Sequence, residues 1–245
     1  MSKRADQLLV ERGLVESRAR AQALILAGLV FSGDRRIDKA GQPIADDAPL
    51  DVRGRDHPWV SRGGQKLDHA LTAFGWDVTG ARAMDVGAST GGFTDVLLTR
   101  GAAHVIAVDV GHGQLAWKLR SDDRVTVMER VNARHLDAAA LPYAPDLIVC
   151  DASFIGLAKV LATPLALAAP AARLVALVKP QFEAAREEIG KGGVVRDAQV
   201  HARVVAAARD WVDGLGWRTL DPVQSPITGP EGNVEYLLGA IRSLP

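Results

Sequence analysis

The sequence predicts a doubly wound α/β domain that follows a small α+β module at the amino terminus. From residue 65 onward, apolar segments of strand length alternate with helical segments. Before residue 54, helical spacing gives way to short apolar runs between turns. Unbroken apolar strands that alternate with helices are typical of a mostly parallel sheet with both faces covered.

The chain divides into a module at 1–53, a linker at 54–64 and a domain at 65–245. The linker, GRDHPWVSRGG, is polar and rich in glycine around a single Pro-Trp-Val step. Within it, Trp59 is expected to dock the two parts or to respond to a bound partner.

The amino-terminal module is predicted to begin with two short helices within residues 3–31. Ser17 is a suitable N-cap for the second helix, and Gly28 is a suitable end. Short β-like runs then follow, separated by the turn sequences SGD, AGQP and DDAP.

The α/β domain is predicted to start with a helix at 65–74. Its five apolar strands are expected near residues 82–86, 104–108, 125–128, 146–150 and 173–178.

Composition indicates a folded protein of a reducing compartment. The 245 residues are 48% hydrophobic and 24% charged, which excludes extensive disorder. A single cysteine, Cys150, excludes an internal disulfide framework and a cysteine-based zinc site, so no metal is predicted and the cytoplasm is the expected location.

No membrane segment is expected. The first residues, MSKRADQLLVERGL, carry charges where a signal peptide needs an apolar core. The most apolar region, Leu161–Val178, contains Pro164, Pro170 and Arg173, so it is interpreted as a helix, a turn and a buried strand.

The glycine loop DVGASTGGFTD, Asp85–Asp95, follows the first predicted strand of the domain. Its spacing lacks the G-x-G-x-x-G of dinucleotide folds and the G-K-[ST] of a P-loop, which disfavours a nicotinamide-dependent oxidoreductase. Asp109 ends the second strand, where a carboxylate can accept hydrogen bonds from both hydroxyls of a ribose. Asn132 follows the third strand and is either an adenine contact or a helix N-cap.

These features together resemble the S-adenosylmethionine site of the Rossmann-like methyltransferases. The alternatives are an empty turn for the loop and a surface carboxylate for Asp109. The cofactor-binding residues that the resemblance implies are Asp85, Gly87, Ser89, Gly91, Gly92, Phe93, Asp109 and Asn132.

Four charged residues interrupt the apolar pattern of the domain. Asp151 ends the fourth strand in LIVCDASF, and Lys179 ends the fifth in LVALVKPQFE. Lys66 lies at the entrance to the first helix, and Glu235 is expected inside a late strand. A lysine that leaves a buried strand is costly unless it is paired or used, so the alternatives are catalysis, a structural ion pair or solvated charges.

The set Lys66, Asp151, Lys179 and Glu235 resembles the tetrad of the FtsJ-type ribose 2′-O-methyltransferases. The stretch SRARAQALILAGLVFSG resembles the S4 RNA-binding fold. With VSRGGQKL, CDASFI, LVKPQFE and GPEGNVEYL, the chain resembles the TlyA family over essentially its full length.

The TlyA resemblance implies methyl transfer from S-adenosylmethionine to the ribose 2′-hydroxyl of cytidine in ribosomal RNA. It implies that Lys179 stabilises the developing alkoxide or accepts its proton, and both roles stay open. Lys66 is then a second cation, which Asp151 and Glu235 orient.

Ribosomal RNA within ribosomal subunits is the expected partner. Residues 1–66 carry 12 Lys and Arg against 9 Asp and Glu, whereas the remainder carries 17 against 20, so the front of the chain favours an anionic partner. The candidate RNA-binding residues are Arg4, Arg18, Arg20, Arg35 and Arg36, with a solvated basic face as the alternative. Phe154 and Phe182 are expected in the core, with a wall for the target nucleotide as the alternative.

Two other functions remain open. The first is an S4-type RNA-binding protein with little or no methyl transfer. The second is a membrane-active hemolysin, a label that some members of the family carry, although no strongly amphipathic or spanning segment supports it. A monomer is expected, but the sequence does not determine the oligomeric state.

Overall fold

The computed structural model describes residues 2–15, 17–53, 57–229 and 231–243. The first three residues of the predicted linker, 54–56, lie outside these ranges. Within the described part of the chain, no helix combines the length and the apolar character that crossing a membrane requires.

Across residues 2–15 and 17–53, the amino-terminal module contains two helices and five short strands. The helices are α1 (Ala5–Glu11) and α2 (Arg18–Leu26), and the strands are β1 (Ser2–Arg4), β2 (Val30–Ser32), β3 (Arg35–Arg36), β4 (Pro43–Ala45) and β5 (Asp51–Val52). Strand β1 pairs with β4, and β2 lies between β3 and β5, with every pairing antiparallel. Ser17 caps α2 as predicted, because its Oγ accepts a hydrogen bond from the Arg20 backbone nitrogen at 3.2 Å.

A buried carboxylate, Asp6, joins the two helices of this module to β1. Its oxygens accept hydrogen bonds from Arg4 at 2.9 and 3.1 Å, from Arg18 at 3.1 Å and from Gln22 at 3.0 Å. The bond from Arg4 above all holds the pKa of Asp6 well below its ordinary range, against the opposing effect of burial. Two of the predicted RNA-binding arginines therefore have a structural partner.

We expect Asp6→Asn to destabilise the module by about 2–4 kcal/mol, because the variant leaves two guanidinium groups without their shared carboxylate. Urea unfolding, with amide hydrogen exchange in α1 and α2, measures the loss. The loss should shrink as the pH falls below about 4, since a carboxylate of depressed pKa stabilises the fold only while it is ionised. Asp38→Asn is the matched control, because Asp38 is 61% exposed in its pair with Arg36. Equal losses in both variants would contradict this interpretation.

The α/β domain contains the remaining helices and strands. The helices are α3 (Gly63–Ala73), α4 (Gly92–Thr99), α5 (Trp117–Arg120), α6 (Leu157–Ala166), α7 (Pro180–Glu183) and α8 (Ala198–Gly214). The strands are β6 (Arg82–Val86), β7 (His104–Asp109), β8 (Val125–Glu129), β9 (Leu147–Cys150), β10 (Ala172–Val178), β11 (Arg218–Thr219), β12 (Val223–Gln224) and β13 (Tyr236–Arg242).

The main sheet has the strand order β11-β13-β10-β9-β6-β7-β8, and β12 also pairs with β13. Strands β6 to β10 are parallel, whereas β13 runs antiparallel to β10, β11 and β12. The predicted mostly parallel sheet is confirmed, with an antiparallel edge. Strand β9 returns beside β6, so the sheet order reverses between them, and a ligand crevice is expected at their carboxyl ends.

Two apolar layers cover the sheet. One contains α6 and α8 against one face, and the other contains α3, α4 and α5 against the opposite face. The region from Leu161 to Val178 forms the end of α6, a turn and the buried strand β10, as predicted.

The second half of the predicted linker packs onto the α/β domain. Trp59 is buried in the layer of α3 and α4, and a Cβ at Gly64 would collide with its side chain. The backbone nitrogen of Val60 donates to Asp95 Oδ2 at 2.8 Å. Trp59 is therefore a core residue of the α/β domain, while the boundaries at 53 and 65 remain a prediction.

Candidate active site

The four charged residues singled out from the sequence lie together at the carboxyl end of the sheet. Lys66 belongs to the first turn of α3, Asp151 follows β9, and Lys179 follows β10. Glu235 directly precedes β13, so the expectation that it lies inside a strand is wrong. The ladder starts one residue later, where Tyr236 pairs with Val178.

Lys66 is paired with two carboxylates. Its Nζ lies 2.6 Å from Glu235 Oε2 and 3.7 Å from Asp151 Oδ2. Both Lys66 and Glu235 are buried, so each charge depends on the other to offset the loss of water. Gly229 accommodates this pair, because a Cβ there would lie 2.8 Å from Glu235 Oε1.

Lys179 is held by the other oxygen of Asp151. Its Nζ lies 2.6 Å from Asp151 Oδ1, and it donates to Ser153 Oγ at 2.9 Å and to the Asp151 carbonyl at 3.3 Å. Three oxygens thus surround this ammonium, and the exposed Ser153 hydroxyl is the one uncharged side chain among them. Sequence reasoning missed Ser153, although its place two residues after Asp151 in CDASF was a usable signal.

A cavity of about 920 Å³ opens beside this cluster. The glycine loop, the strand ends that carry the cluster and the turn after β10 line it. Ser17, from the amino-terminal module, also lines it. Further lining residues that sequence reasoning did not select include Ser61, Arg62, Gln181 and Asn233.

The glycine loop after β6 needs its glycines for two different reasons. Gly87 has φ +81°, and a Cβ there would lie 3.0 Å from the Ala152 Cα. Gly91 has φ +93°, and a Cβ there would collide with Leu119. Both positions therefore require glycine, and of these two Gly87 lines the cavity.

Asp85, at the end of β6, is a buried carboxylate with one oxygen in use. Its Oδ2 accepts hydrogen bonds from the Thr94 backbone at 3.0 Å and from the Thr94 hydroxyl at 2.7 Å. Within the described ranges its Oδ1 has no donor. Burial, with smaller effects from Asp151 and Asp109, raises the pKa of Asp85 to about 7 despite the bonds from Thr94.

The other predicted cofactor-binding residues divide into two groups. Gly87, Ser89, Gly92 and Phe93, together with Asp85, line the cavity. Among the described lining residues, Gly91, Asp109 and Asn132 do not occur.

Asp109 and Asn132 both have local hydrogen-bond partners. Asp109 accepts hydrogen bonds from the backbone nitrogens of Ser89 at 2.8 Å and Gly111 at 2.6 Å, so it orders the glycine loop. Asn132 is exposed and caps the short 3₁₀ helix Ala133–His135 through the backbone nitrogen of Arg134 at 3.1 Å, which is the alternative that the sequence left open. Their adenosine contacts stay a prediction.

The predicted RNA-binding arginines fall into two groups, those paired with a carboxylate and those without such a partner among the described residues. Arg4 and Arg18 contact Asp6, and Arg36 donates to Asp38 at 2.7 Å. The side chains of Arg20 and Arg35 are exposed and have no ion-pair partner among the described residues.

Two phenylalanines lie at the cavity wall beside Lys179. Phe154 is 91% exposed, so the expectation of a core role is wrong for it. Its backbone has φ +64°, a strained value for a bulky side chain. Its ring centroid lies 5.3 Å from that of Phe182, whose ring is 6.0 Å from Lys179 Nζ.

A sheet of this order, with a glycine loop after its first strand and a lysine-carboxylate cluster at the adjacent strand ends, defines the class of Rossmann-like methyltransferases. The model of the FtsJ-like methyltransferases matches residues 59–242, and that of the S4 domain matches residues 3–47. The chain belongs to the FtsJ-like methyltransferase family, among the members named TlyA.

Similar proteins match nearly the whole chain. The 16S/23S rRNA (cytidine-2′-O)-methyltransferase TlyA of Mycobacterium tuberculosis is 50% identical over 96% of this chain and 88% of its own. Hemolysin A of Brachyspira hyodysenteriae is 39% identical over 96% of this chain and 98% of its own. A solved structure described as "Putative hemolysin from Streptococcus thermophilus" superposes with a TM-score of 0.79 at 41% identity, covering 99% of this chain and 89% of its own.

We expect Asp85→Asn to stabilise the ligand-free protein increasingly as the pH rises from 4 to 8. The wild-type carboxyl has a raised pKa, so its folded state binds the proton more tightly and loses stability as the pH rises through this window. The gain should approach at most about 4 kcal/mol at pH 8 and vanish near pH 4.

Urea unfolding at several pH values measures this difference. Asp123→Asn, at an exposed position of the same domain, is the control and should give a difference that does not change with pH. A constant difference for Asp85→Asn as well would contradict the prediction.

Proposed function

We propose that this chain methylates the ribose 2′-hydroxyl of cytidine in ribosomal RNA with S-adenosylmethionine as the methyl donor. The observation that carries the proposal is the Lys179 ammonium on the cavity wall, held by Asp151 and 2.9 Å from a hydroxyl oxygen of Ser153. A ribose hydroxyl that entered the cavity could accept a hydrogen bond from Lys179, which already donates to the hydroxyl oxygen of Ser153. The 50% identity to a cytidine-2′-O-methyltransferase supports the same assignment.

The cavity suits the proposed methyl donor. Its volume of about 920 Å³ lies within the usual range for ligand sites. The glycine loop supplies backbone without side chains, and the free Oδ1 of Asp85 accepts a donor such as an amino-acid ammonium. When bound, S-adenosylmethionine supplies an electrophilic methyl group on a sulfonium.

The residues of the cluster then have separable roles. Lys179 stabilises the negative charge that develops on the 2′-oxygen, while the proton of the hydroxyl passes to water at the open side of the cavity. Asp151 fixes Lys179 and also lies 3.7 Å from Lys66, whose position Glu235 secures. The two ammonium groups balance the two carboxylates, so the cluster carries no net charge. The ammonium of Lys179 faces the cavity, and it is this group that attracts negative charge on the 2′-oxygen.

Alignment supplies a further part of the rate. A sugar held between the lysine cluster and the glycine loop meets the methyl donor in one orientation, which in favourable cases contributes about 7–11 kcal/mol. The Ser17 contact with the cavity lets the S4 domain and the catalytic domain hold the same RNA. A ribosomal substrate makes the cytoplasm the expected place of action, and a monomer remains the expected state.

We expect Lys179→Ala to lower single-turnover methyl transfer to ribosomal subunits by about 10²–10³-fold, because the variant lacks the donor that faces the oxygen. Affinity for S-adenosylmethionine should stay within about twofold, since the glycine loop is unchanged. Lys159→Ala, at an exposed position of α6, is the control and should keep the wild-type rate. A Lys179→Ala protein with an unchanged rate would exclude this mechanism, and binding without turnover by the wild type would favour an RNA-binding protein instead.

We expect Arg20→Ala and Arg35→Ala to weaken binding to ribosomal RNA and to leave stability unchanged. Both side chains are free to meet phosphates, so each loss should also lower the salt dependence of binding by about one unit of slope. Arg18→Ala should instead lower the free energy of unfolding, because Asp6 then has one partner fewer. Filter binding at four salt concentrations and urea unfolding give the two readouts, and stability losses for Arg20→Ala or Arg35→Ala would argue against the assignment.

A further inference from the structure

The side-chain oxygen of Gln181 is a buried acceptor with no donor. Its Oε1 is closed to solvent, and no described residue donates to it. Gln181 lines the same cavity as the lysine cluster. A buried acceptor left without a donor costs about 1–3 kcal/mol, so a ligand that supplies the donor is the simplest reason to keep an amide here.

Two other oxygens at the cavity also accept no hydrogen bond from the described residues, and each is explained in a different way. Asp151 Oδ1 has the Lys179 ammonium 2.6 Å away, which serves it as an ion-pair partner. Asp85 Oδ1 lies at the end of β6 beside the glycine loop, on the side that the proposed methyl donor occupies. Gln181 is the acceptor that belongs to the turn after β10.

The position of Gln181 in the chain relates it to the target nucleotide. It is the second residue of α7, two residues after Lys179 and one before Phe182. The Phe182 ring lies 6.0 Å from the Lys179 ammonium and is tilted by 46° relative to the ring of Phe154. Gln181 and both aromatic rings line the same cavity as Lys179, so a nucleotide whose 2′-hydroxyl met Lys179 could place its base beside them.

The donor that distinguishes the two RNA pyrimidines is the exocyclic amine. Cytosine carries an amino group at position 4, where uracil carries a carbonyl oxygen. We propose that the Gln181 side chain rotates to present Oε1 to the cavity when the nucleotide binds, accepts a hydrogen bond from this 4-amino group and thereby selects cytidine over uridine. The assignment rests on the proposed function and goes beyond it by naming the residue that reads the base.

The test removes first the donor, the 4-amino group of the base, and then the acceptor, the side-chain oxygen of Gln181. Ribosomal subunits are reconstituted from RNA that carries, at the mapped target position, cytidine, uridine or the pyrimidin-2-one riboside that lacks the 4-amino group. Single-turnover methyl transfer is measured for the wild type, Gln181→Met and Gln181→Glu. Gln199→Met, at an exposed position of α8, is the matched control.

The wild type should lose about 10–100-fold in rate when the 4-amino group is absent. Gln181→Met should be slow on cytidine and equally slow on the analogue, because the acceptor is gone. Gln181→Glu keeps an acceptor and should keep the preference for cytidine over the analogue. Affinity for S-adenosylmethionine should match the wild type in every variant. The unfolding midpoint of Gln181→Met should equal or exceed that of the wild type, because the variant no longer buries an acceptor without a donor.

Two outcomes overturn the inference while leaving methyl transfer intact. One is a wild type that uses the analogue as fast as cytidine, as expected if a water molecule satisfies Oε1. The other is a Gln181→Met protein that still prefers cytidine. A wild type that transfers no methyl group to any of these subunits would instead remove the proposed function itself.

Discussion

The site depends on the carboxylate of Asp151, which lies between two buried ammonium groups. Moving a lysine ammonium out of water costs several kcal/mol, so Lys66 and Lys179 remain buried because opposite charges adjoin them. The three residues come from the end of β9, the end of β10 and the start of α3. Such clusters contribute little net stability, and their effect is to hold three elements in one relative position at the cavity wall.

The cavity keeps polar groups that folding alone does not require. Asp85, beside the glycine loop, and Gln181, after β10, each have one oxygen to which no residue of the described ranges donates. An apolar side chain would suit the isolated fold better at either position. Local conflicts of this kind are expected where a ligand completes the hydrogen bonding.

The arginines of the amino-terminal module differ in whether they have a carboxylate partner. Arg4 and Arg18 order α1 and α2 around the buried Asp6, so their charge is partly neutralised within the module. The side chains of Arg20 and Arg35 are exposed. Ser17 of the same module lines the cavity together with residues of the α/β domain.

The sequence by itself predicted the five parallel strands of the main sheet and the glycine loop, which follow from periodicity and spacing, both local properties of the chain. It also singled out the four charged residues of the cluster, as breaks in the apolar pattern and through their resemblance to a known tetrad. Only the tertiary structure decided which distant polar groups meet, such as Arg18 with Asp6 and Lys66 with both Asp151 and Glu235, and it alone showed that Phe154 is exposed. Contacts between residues distant in sequence depend on how the elements pack, so no local pattern predicts these pairs.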